Sequence, residues 1–85
     1  MPRREAILYR MVLPDHVCPY GVRARQLLEQ AGFTIAEHIL ATRMEADVLM
    51  AELGVSTTPQ VFIGGERIGG SEELANYLAD VAAHG

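Results

Sequence analysis

The 85-residue sequence contains a single cysteine, Cys18, and no tryptophan. One cysteine excludes both an internal disulfide framework and a zinc site built from cysteine pairs. A lone thiol of this kind is normally found in a reducing compartment. No apolar run approaches the ~20 residues that a membrane-spanning helix needs, and the N-terminal region lacks the features of a secretory signal. We therefore expect a cytoplasmic protein that does not associate with a membrane.

Lysine is also absent, so all seven basic residues are arginines, and the formal net charge is −4 at pH 7. Because nucleic-acid recognition normally requires a basic stripe or patch, a nucleic-acid partner is not expected. Any site that needs a cationic side chain must use an arginine. With 49% hydrophobic and 21% charged residues, the composition is typical of a globular protein, and we expect one domain over residues 1–85.

The hydrophobic patterns predict the order β-α-β-α-β-β-α, with short β-branched or aromatic runs alternating with runs of helical spacing. The predicted strands are 5–13, 34–40, 60–63 and 66–69, and the predicted helices begin at Pro19, after a capping box of Thr42 and Glu45, and after a cap at Ser71. A right-handed crossover makes the first two strands parallel, and the final hairpin adds antiparallel strands. The predicted fold class is α/β, with a four-stranded mixed sheet and helices on both faces.

Cys18 lies at the predicted start of the first helix, in the sequence CPYG. A lone cysteine is most often a small buried hydrophobic residue, and that interpretation stays open here. The position favours a reactive thiol, because unpaired backbone N–H groups at a helix start stabilise a thiolate. A C-x-x-C motif would have a second thiol where this chain has Gly21. Cys18 is thus the candidate catalytic residue, without a partner thiol in the chain.

Two further segments, TTPQVF and IGGSEEL, have both an ordinary and a functional interpretation. Taken alone, Pro59 is a trans proline at the start of an edge strand. Gly70, Ser71 and Glu72 form a turn and helix start, which is either a normal cap or a place where backbone N–H groups bind a carboxylate or phosphate. His16 is most simply a solvated loop side chain.

Together, CPYG, TTPQVFIGG and IGGSEEL, in this order on a β-α-β-α-β-β-α chain, resemble the glutaredoxin family over about residues 5–80. The resemblance implies a thioredoxin-like fold, glutathione as the thiol partner, and a cis bond before Pro59. It also implies a position beside the sulfur for Tyr20 and pairing of the Thr58 backbone with the cysteinyl unit of glutathione.

The same resemblance implies that Gly70 and the helix start at Ser71 and Glu72 receive the γ-glutamyl end of glutathione. Basic side chains would receive the glycyl carboxylate. The lysine that usually precedes the family's cysteine is missing, so Arg23 is our candidate, with Arg10 as the other arginine considered. Residues 10–17 also form a longer connection before the cysteine than is usual in the family.

The resemblance and the missing second thiol predict a glutathione-dependent oxidoreductase with a monothiol mechanism, acting as a monomer on glutathionylated proteins. No tightly bound cofactor is expected beyond glutathione as co-substrate. The alternative is a homodimeric carrier of a [2Fe–2S] cluster, ligated by one Cys18 and one glutathione from each protomer. Against this alternative, Pro19 stiffens the loop after the cysteine. A third interpretation is a non-catalytic redox sensor in which Cys18 is only glutathionylated.

Overall fold

Strand β1 lies at the centre of the sheet in the computed structural model, which describes residues 5–84. This part of the chain forms five strands and three helices. In chain order the elements are β1 (Glu5–Leu13), β2 (His16–Val17), α1 (Pro19–Gln30), β3 (Thr34–Leu40), α2 (Arg43–Leu53), β4 (Gln60–Ile63), β5 (Glu66–Gly69) and α3 (Ser71–His84). The predicted β-α-β-α-β-β-α order is confirmed, with one additional short strand.

The sheet is mixed, as predicted. Strand β1 pairs in parallel with β3 and antiparallel with β4, and β4 pairs antiparallel with β5. Because β3 and β4 both pair with residues 6–9 of β1, they must lie on its opposite edges. The order of the four main strands is therefore β3-β1-β4-β5.

The additional strand β2 explains the long connection before Cys18. Pro14 and Asp15 form a two-residue turn, which folds β2 back onto the end of β1 with Val12 opposite Val17. The sequence analysis predicted no strand at residues 16 and 17, because a two-residue pairing leaves no hydrophobic period to detect. The longer connection is thus an ordered hairpin, and α1 begins shortly after its second strand.

The core lies between one face of the sheet and the helices α1 and α3. Six fully or almost fully buried side chains form it: Ala6, Leu8, Ala24, Leu28, Val61 and Leu74. Helix α2 contacts β1 and β3 on the opposite face of the sheet. Side chains along a strand alternate between the two faces, so the paired residues Met11 and Leu40 point away from the face that carries Leu8. The predicted placement of helices on both faces is confirmed. Within residues 5–84, no helix has the length and apolar character needed to cross a membrane.

The start of α2 follows the predicted capping box with one difference. The Glu45 backbone N–H donates to Thr42 Oγ1 at 3.1 Å, as expected. The Glu45 carboxylate, however, accepts from the backbone N–H of Ala41 at 2.9 Å, one residue before the position expected for a capping box. The helix ends at Gly54, whose φ of 69° is the left-handed conformation that glycine adopts most easily.

Leu28→Ala is expected to lower the free energy of unfolding by about 2–5 kcal/mol, because it opens a cavity in the core. For a domain of this size, each kcal/mol corresponds to about 4–8 °C in Tm. Thermal unfolding followed by circular dichroism measures the change. The control is Met44→Ala, at a side chain that is 76% exposed, which should stay within about 0.5 kcal/mol of wild type. Equal losses in both variants would contradict the position of the core.

Candidate functional site

Cys18 occupies the N-cap position of α1. Its backbone is extended, with φ −67° and ψ 119°, and its side chain is half-buried and makes no capping hydrogen bond. Pro19 follows as the first helical residue, as the sequence predicted. The Cys18 carbonyl accepts from the N–H groups of Gly21 at 3.1 Å and Val22 at 3.4 Å. The thiol is therefore held at a helix start without being engaged by the helix.

Exposed apolar side chains lie next to Cys18 in the chain. Val17 is 51% exposed and Tyr20 is 63% exposed, on either side of Cys18 in the chain. Val22, one turn into α1, is 36% exposed. A thiol in a segment with exposed apolar side chains can contact a second molecule. One of these side chains, Tyr20, lies in the first turn of the helix that begins after Cys18.

The loop before β4 lies at the same end of the sheet as Cys18. Tyr9 pairs with Gln60, so the antiparallel β4 begins where β1 runs on toward the hairpin and α1. The Thr58–Pro59 peptide bond is cis, which confirms the conformation implied by the resemblance. Pro59 is buried and Thr58 is half-buried, so the loop is fixed against the sheet while the Thr58 backbone stays near the surface.

Gln60, the first residue of β4, holds this loop through a side-chain hydrogen bond, a role that the sequence analysis missed. Its side chain is only 2% exposed, and its Nε2 donates to the Thr57 carbonyl at 2.9 Å. Arg67 on β5 in turn donates from Nη1 to Gln60 Oε1 at 3.4 Å. A polar residue at the first position of a buried strand was the available signal for Gln60, whereas the Arg67 contact depends on strand pairing.

The start of α3 completes the same end of the sheet. Val61 pairs with Gly69, so β5 ends where β4 begins, and a Cβ on Gly70 would lie 3.5 Å from the Pro59 carbonyl oxygen. Gly70, at the start of α3, therefore lies within ordinary contact distance of the cis-proline loop. The three sequence motifs, distant along the chain, meet at one end of the sheet.

The prediction that Ser71 caps α3 is wrong. The helix begins at Ser71 itself, and the Gly70 carbonyl accepts the first helical bond, from the Leu74 N–H at 2.9 Å. The Gly70 N–H donates to Glu73 Oε1 at 2.8 Å, so a side chain from within the helix caps its start. Ser71 is only 7% exposed, so it is a buried residue of the first turn and not the helix cap. Glu72 is exposed at the same helix start.

The three candidates outside these motifs occupy different environments. Arg23 is exposed on α1, and among the described residues no hydrogen bond or ion pair joins it to the Thr58 or Gly70 loops. His16 is exposed on β2. Arg10 is half-buried on β1 and its Nε donates to Glu37 Oε2 at 2.5 Å, so its charge is already paired.

Glu37 is the centre of a charge network that links β1, β3 and α1. Its second oxygen, Oε1, lies 2.8 Å from Arg25 Nη1, and Arg25 Nε also lies 3.2 Å from Glu29 Oε1. Burial acts to raise the pKa of the Glu37 carboxyl, but the hydrogen bonds and charges of Arg10 and Arg25 outweigh it and lower that pKa. The hydrogen bond to Glu37 likewise raises the pKa of Arg25.

Gly21 packs directly against the stem of Arg10. A Cβ at position 21 would lie 3.0 Å from Arg10 Cβ and 3.3 Å from Arg10 Cδ, closer than ordinary van der Waals contact. At the end of the same side chain, Arg10 Nη1 is buried without a hydrogen-bond partner among the described residues. The absence of a side chain at position 21 therefore gives Arg10 its space, which no sequence pattern indicated.

A cysteine at a helix N-terminus, at the same end of a thioredoxin-like sheet as a cis-proline loop and the start of α3, defines a candidate thiol site. Comparison with protein families matches residues 7–68 to the family described as glutaredoxin. The chain belongs to the glutaredoxin family, a family of thiol oxidoreductases, and the resemblance seen in the sequence is confirmed.

Two curated relatives illustrate the extent of the match. Glutaredoxin-C2 of Arabidopsis thaliana is 37% identical over 74 residues, which cover 82% of this chain and 67% of that protein. The hybrid peroxiredoxin hyPrx5 of Haemophilus influenzae is 44% identical over 62 residues, or 73% of this chain. The match covers only 26% of hyPrx5, so the chain corresponds to about a quarter of that relative.

Solved structures confirm the fold. Glutaredoxin 1 from Francisella tularensis, complexed with cacodylate, superposes with a TM-score of 0.79 at 26% identity, covering 94% of this chain and 98% of that one. A buckwheat glutaredoxin–glutathione complex superposes with a TM-score of 0.73 at 26% identity, covering 92% of this chain and 71% of that one.

Glu37→Gln is expected to lower the free energy of unfolding at pH 7 by about 1–3 kcal/mol, because it removes the charge that pairs with Arg10. The folded pKa of Glu37 lies below the unfolded value of about 4.3. Its stabilising contribution is therefore complete above that pH and is lost as the pH falls through the folded pKa.

Urea unfolding between pH 7 and pH 3 measures this effect. The stabilities of wild type and Glu37→Gln should converge toward acid pH, where the wild-type carboxyl becomes protonated. Glu29→Gln is the control, because Glu29 is 54% exposed and its pair with Arg25 should contribute at most about 1 kcal/mol. A constant difference between wild type and Glu37→Gln over the whole range would contradict the assignment.

Proposed function

We propose that this protein is a glutathione-dependent thiol–disulfide oxidoreductase that reduces protein–glutathione mixed disulfides through one thiol, Cys18. The observation that carries the proposal is the meeting of Cys18, the cis-Pro59 loop and the Gly70 helix start at one end of the sheet. Gly21, in the position of a second thiol, leaves the one-thiol route. The buckwheat relative, solved as a complex with glutathione, supports the choice of ligand.

In the first step, the Cys18 thiolate attacks the glutathione sulfur of the mixed disulfide. A disulfide forms between Cys18 and glutathione, and the bond to the substrate protein breaks. The substrate sulfur leaves with the electron pair of the broken bond and takes a proton from water.

In the second step, the thiolate of a second glutathione attacks the glutathione sulfur bound to Cys18. Oxidised glutathione forms, and Cys18 leaves as a thiolate. Over the cycle, one protein–glutathione mixed disulfide and one free glutathione thiol are converted into one protein thiol and one molecule of oxidised glutathione.

The glutathione groove proposed for this chain runs from Tyr20 past the cis-proline loop to α3. Thr58 offers its backbone to the cysteinyl unit beside Pro59. The γ-glutamyl carboxylate is placed at the backbone N–H groups of Ser71 and Glu72, since Glu73 already occupies the Gly70 N–H.

The glycyl carboxylate of glutathione needs a cation, and two arginines are candidates. Arg23 is exposed on the helix that carries Cys18. Arg67, which the sequence analysis did not consider, is connected through Gln60 to the carbonyl of Thr57 in the cis-proline loop. The charge of Arg67 is thus placed beside the loop that is proposed to hold the cysteinyl unit.

Arg67→Gln is expected to raise the KM for glutathione by about threefold to tenfold, which corresponds to about 0.7–1.4 kcal/mol. Arg23→Gln is the matched control on the other candidate and should change the KM by less than about twofold. Steady-state kinetics at fixed peptide concentration measure both values. The reverse order of the two effects would assign the carboxylate to Arg23 instead.

Cys18→Ser is expected to abolish turnover of a glutathionylated peptide by glutathione, because serine cannot form the mixed disulfide. The assay couples the release of oxidised glutathione to glutathione reductase and follows NADPH absorbance. The control Met44→Ala changes an exposed side chain on α2, on the opposite face of the sheet from α1, and should keep wild-type activity. Turnover retained in Cys18→Ser, or absent from a folded wild type, would refute the proposed function.

The [2Fe–2S] carrier ranks second. Cys18 is the chain's only cysteine, so three of four sulfur ligands would have to come from glutathione and a second protomer. Pro19, the first residue of α1, fixes φ next to the ligating residue and restricts its adjustment to a cluster. Visible absorption after anaerobic incubation with iron, sulfide and glutathione would favour the carrier. We propose a monomer, since one chain supplies every residue assigned to the groove. We also propose a cytoplasmic location, because a lone thiol is normally found in a reducing compartment.

A further inference from the structure

The hairpin formed by β1 and β2 projects past the end of the sheet at which the thiol lies. Strand β1 pairs with β3 only as far as Met11, but it runs on to Leu13 before the chain turns. Val17 returns opposite Val12, so Cys18, the next residue, lies near the level of Met11. The two residues of β1 beyond Met11 therefore carry the turn roughly 7 Å past the Cys18 backbone.

The residues at the tip of this hairpin face solvent. Pro14, Asp15 and His16 are exposed, and Val17 is 51% exposed. Pro14 fixes its own φ in the two-residue turn, which limits the conformations of the tip. Within residues 5–84, no ion pair or side-chain hydrogen bond engages Asp15, so its carboxylate is not used to hold the turn. The tip thus presents an unengaged anion and an exposed apolar side chain.

We propose that this hairpin is a contact surface for the polypeptide part of the mixed disulfide, and that it favours a glutathionylated cysteine with a basic residue close by in the sequence. The inference rests on the proposed function and adds a substrate class to it. The proposed glutathione groove runs from Tyr20 past the cis-proline loop to α3 and does not include the hairpin. The hairpin is therefore open to the other half of the substrate.

The projection of the hairpin separates large substrates from small ones. A polypeptide that brings its sulfur to Cys18 must pass the tip, because the tip extends beyond the level of the thiol on the chain segment that leads to it. The mixed disulfide of free cysteine with glutathione has no polypeptide beyond its sulfur to contact the tip. Contact with the hairpin is therefore a property of polypeptide substrates.

The charge of the tip determines which polypeptide is preferred. Asp15 attracts a cation and repels an anion, and the net charge of −4 at pH 7 acts in the same direction. Arg10, the arginine of residues 10–17, does not offset this charge, because it is already paired with Glu37. Val17 adds an apolar contact for the side chains that flank the cation. The partner is thus a basic segment with an apolar residue near its cysteine.

The test compares three substrates: two glutathionylated peptides that differ only in an arginine or a serine two residues from the cysteine, and the mixed disulfide of cysteine with glutathione. Asp15→Asn and Val17→Ser alter the tip. Asp47→Asn and Val48→Ser are the matched controls on α2, where both residues are exposed and Val48 is 52% exposed. Circular dichroism confirms that each variant is folded, and the glutathione reductase-coupled assay gives kcat/KM at low ionic strength.

The wild-type kcat/KM is expected to be about twofold to fivefold higher for the arginine peptide than for the serine peptide, the size of effect typical of one exposed ion pair. Asp15→Asn should abolish that difference. Val17→Ser should lower kcat/KM for both peptides by about twofold to fivefold, because part of an apolar contact is lost. Neither tip variant should change turnover of the cysteine–glutathione disulfide, and both α2 variants should match the wild type on all three substrates.

A preference for the arginine peptide that persists in Asp15→Asn would overturn the choice of partner. Wild-type values for both tip variants on both peptides, or an equal loss on the cysteine–glutathione disulfide, would overturn the contact surface. Absence of turnover of all three substrates by the folded wild type would refute the proposed function, and the inference with it. Failure of the inference alone leaves wild-type turnover intact, so the two failures are distinguishable.

Discussion

The structure depends on the pairing of β1 along both of its edges. With β3 on one edge and β4 on the other, its register fixes which residues face α1 and α3 and which face α2. Leu8 then packs in the core with Leu28 and Val61. Arg10, two residues further along β1, points to the same face of the sheet. The end of β1 continues through the β2 hairpin to Cys18, so the position of the thiol follows from the position of this strand.

The same strand also sets the environment of the thiol. Arg10 replaces part of the apolar packing beneath the first turn of α1 with an anchored cation, and Glu37 and Arg25 hold that cation in place. A half-buried charge of this kind is costly to leave without its partner, so the three residues are energetically coupled. Gly21 belongs to this arrangement because its missing side chain makes room for the Arg10 stem.

Local patterns in the sequence were sufficient to predict the main strands, the three helices and their order, because hydrophobic period and caps are read over a few residues. The cis form of Pro59 followed from the family resemblance and not from the local sequence. Such patterns did not predict the two-residue strand β2 or the hydrogen bond of Glu73 at the start of α3, because each involves too few residues to give a pattern. The contact of Arg10 with Gly21 and the contact of Gln60 with Arg67 arise only when strands and helices pack, so they could not be predicted.

The central claim is that Cys18 alone carries the covalent chemistry, through a mixed disulfide with glutathione. The most direct test is intact-mass analysis of the wild-type protein after brief exposure to oxidised glutathione, followed by addition of reduced glutathione. The account predicts one glutathione adduct, located at Cys18 by peptide mapping, and its complete removal with release of oxidised glutathione. A folded protein that forms no adduct, or an adduct that reduced glutathione does not release, would contradict it.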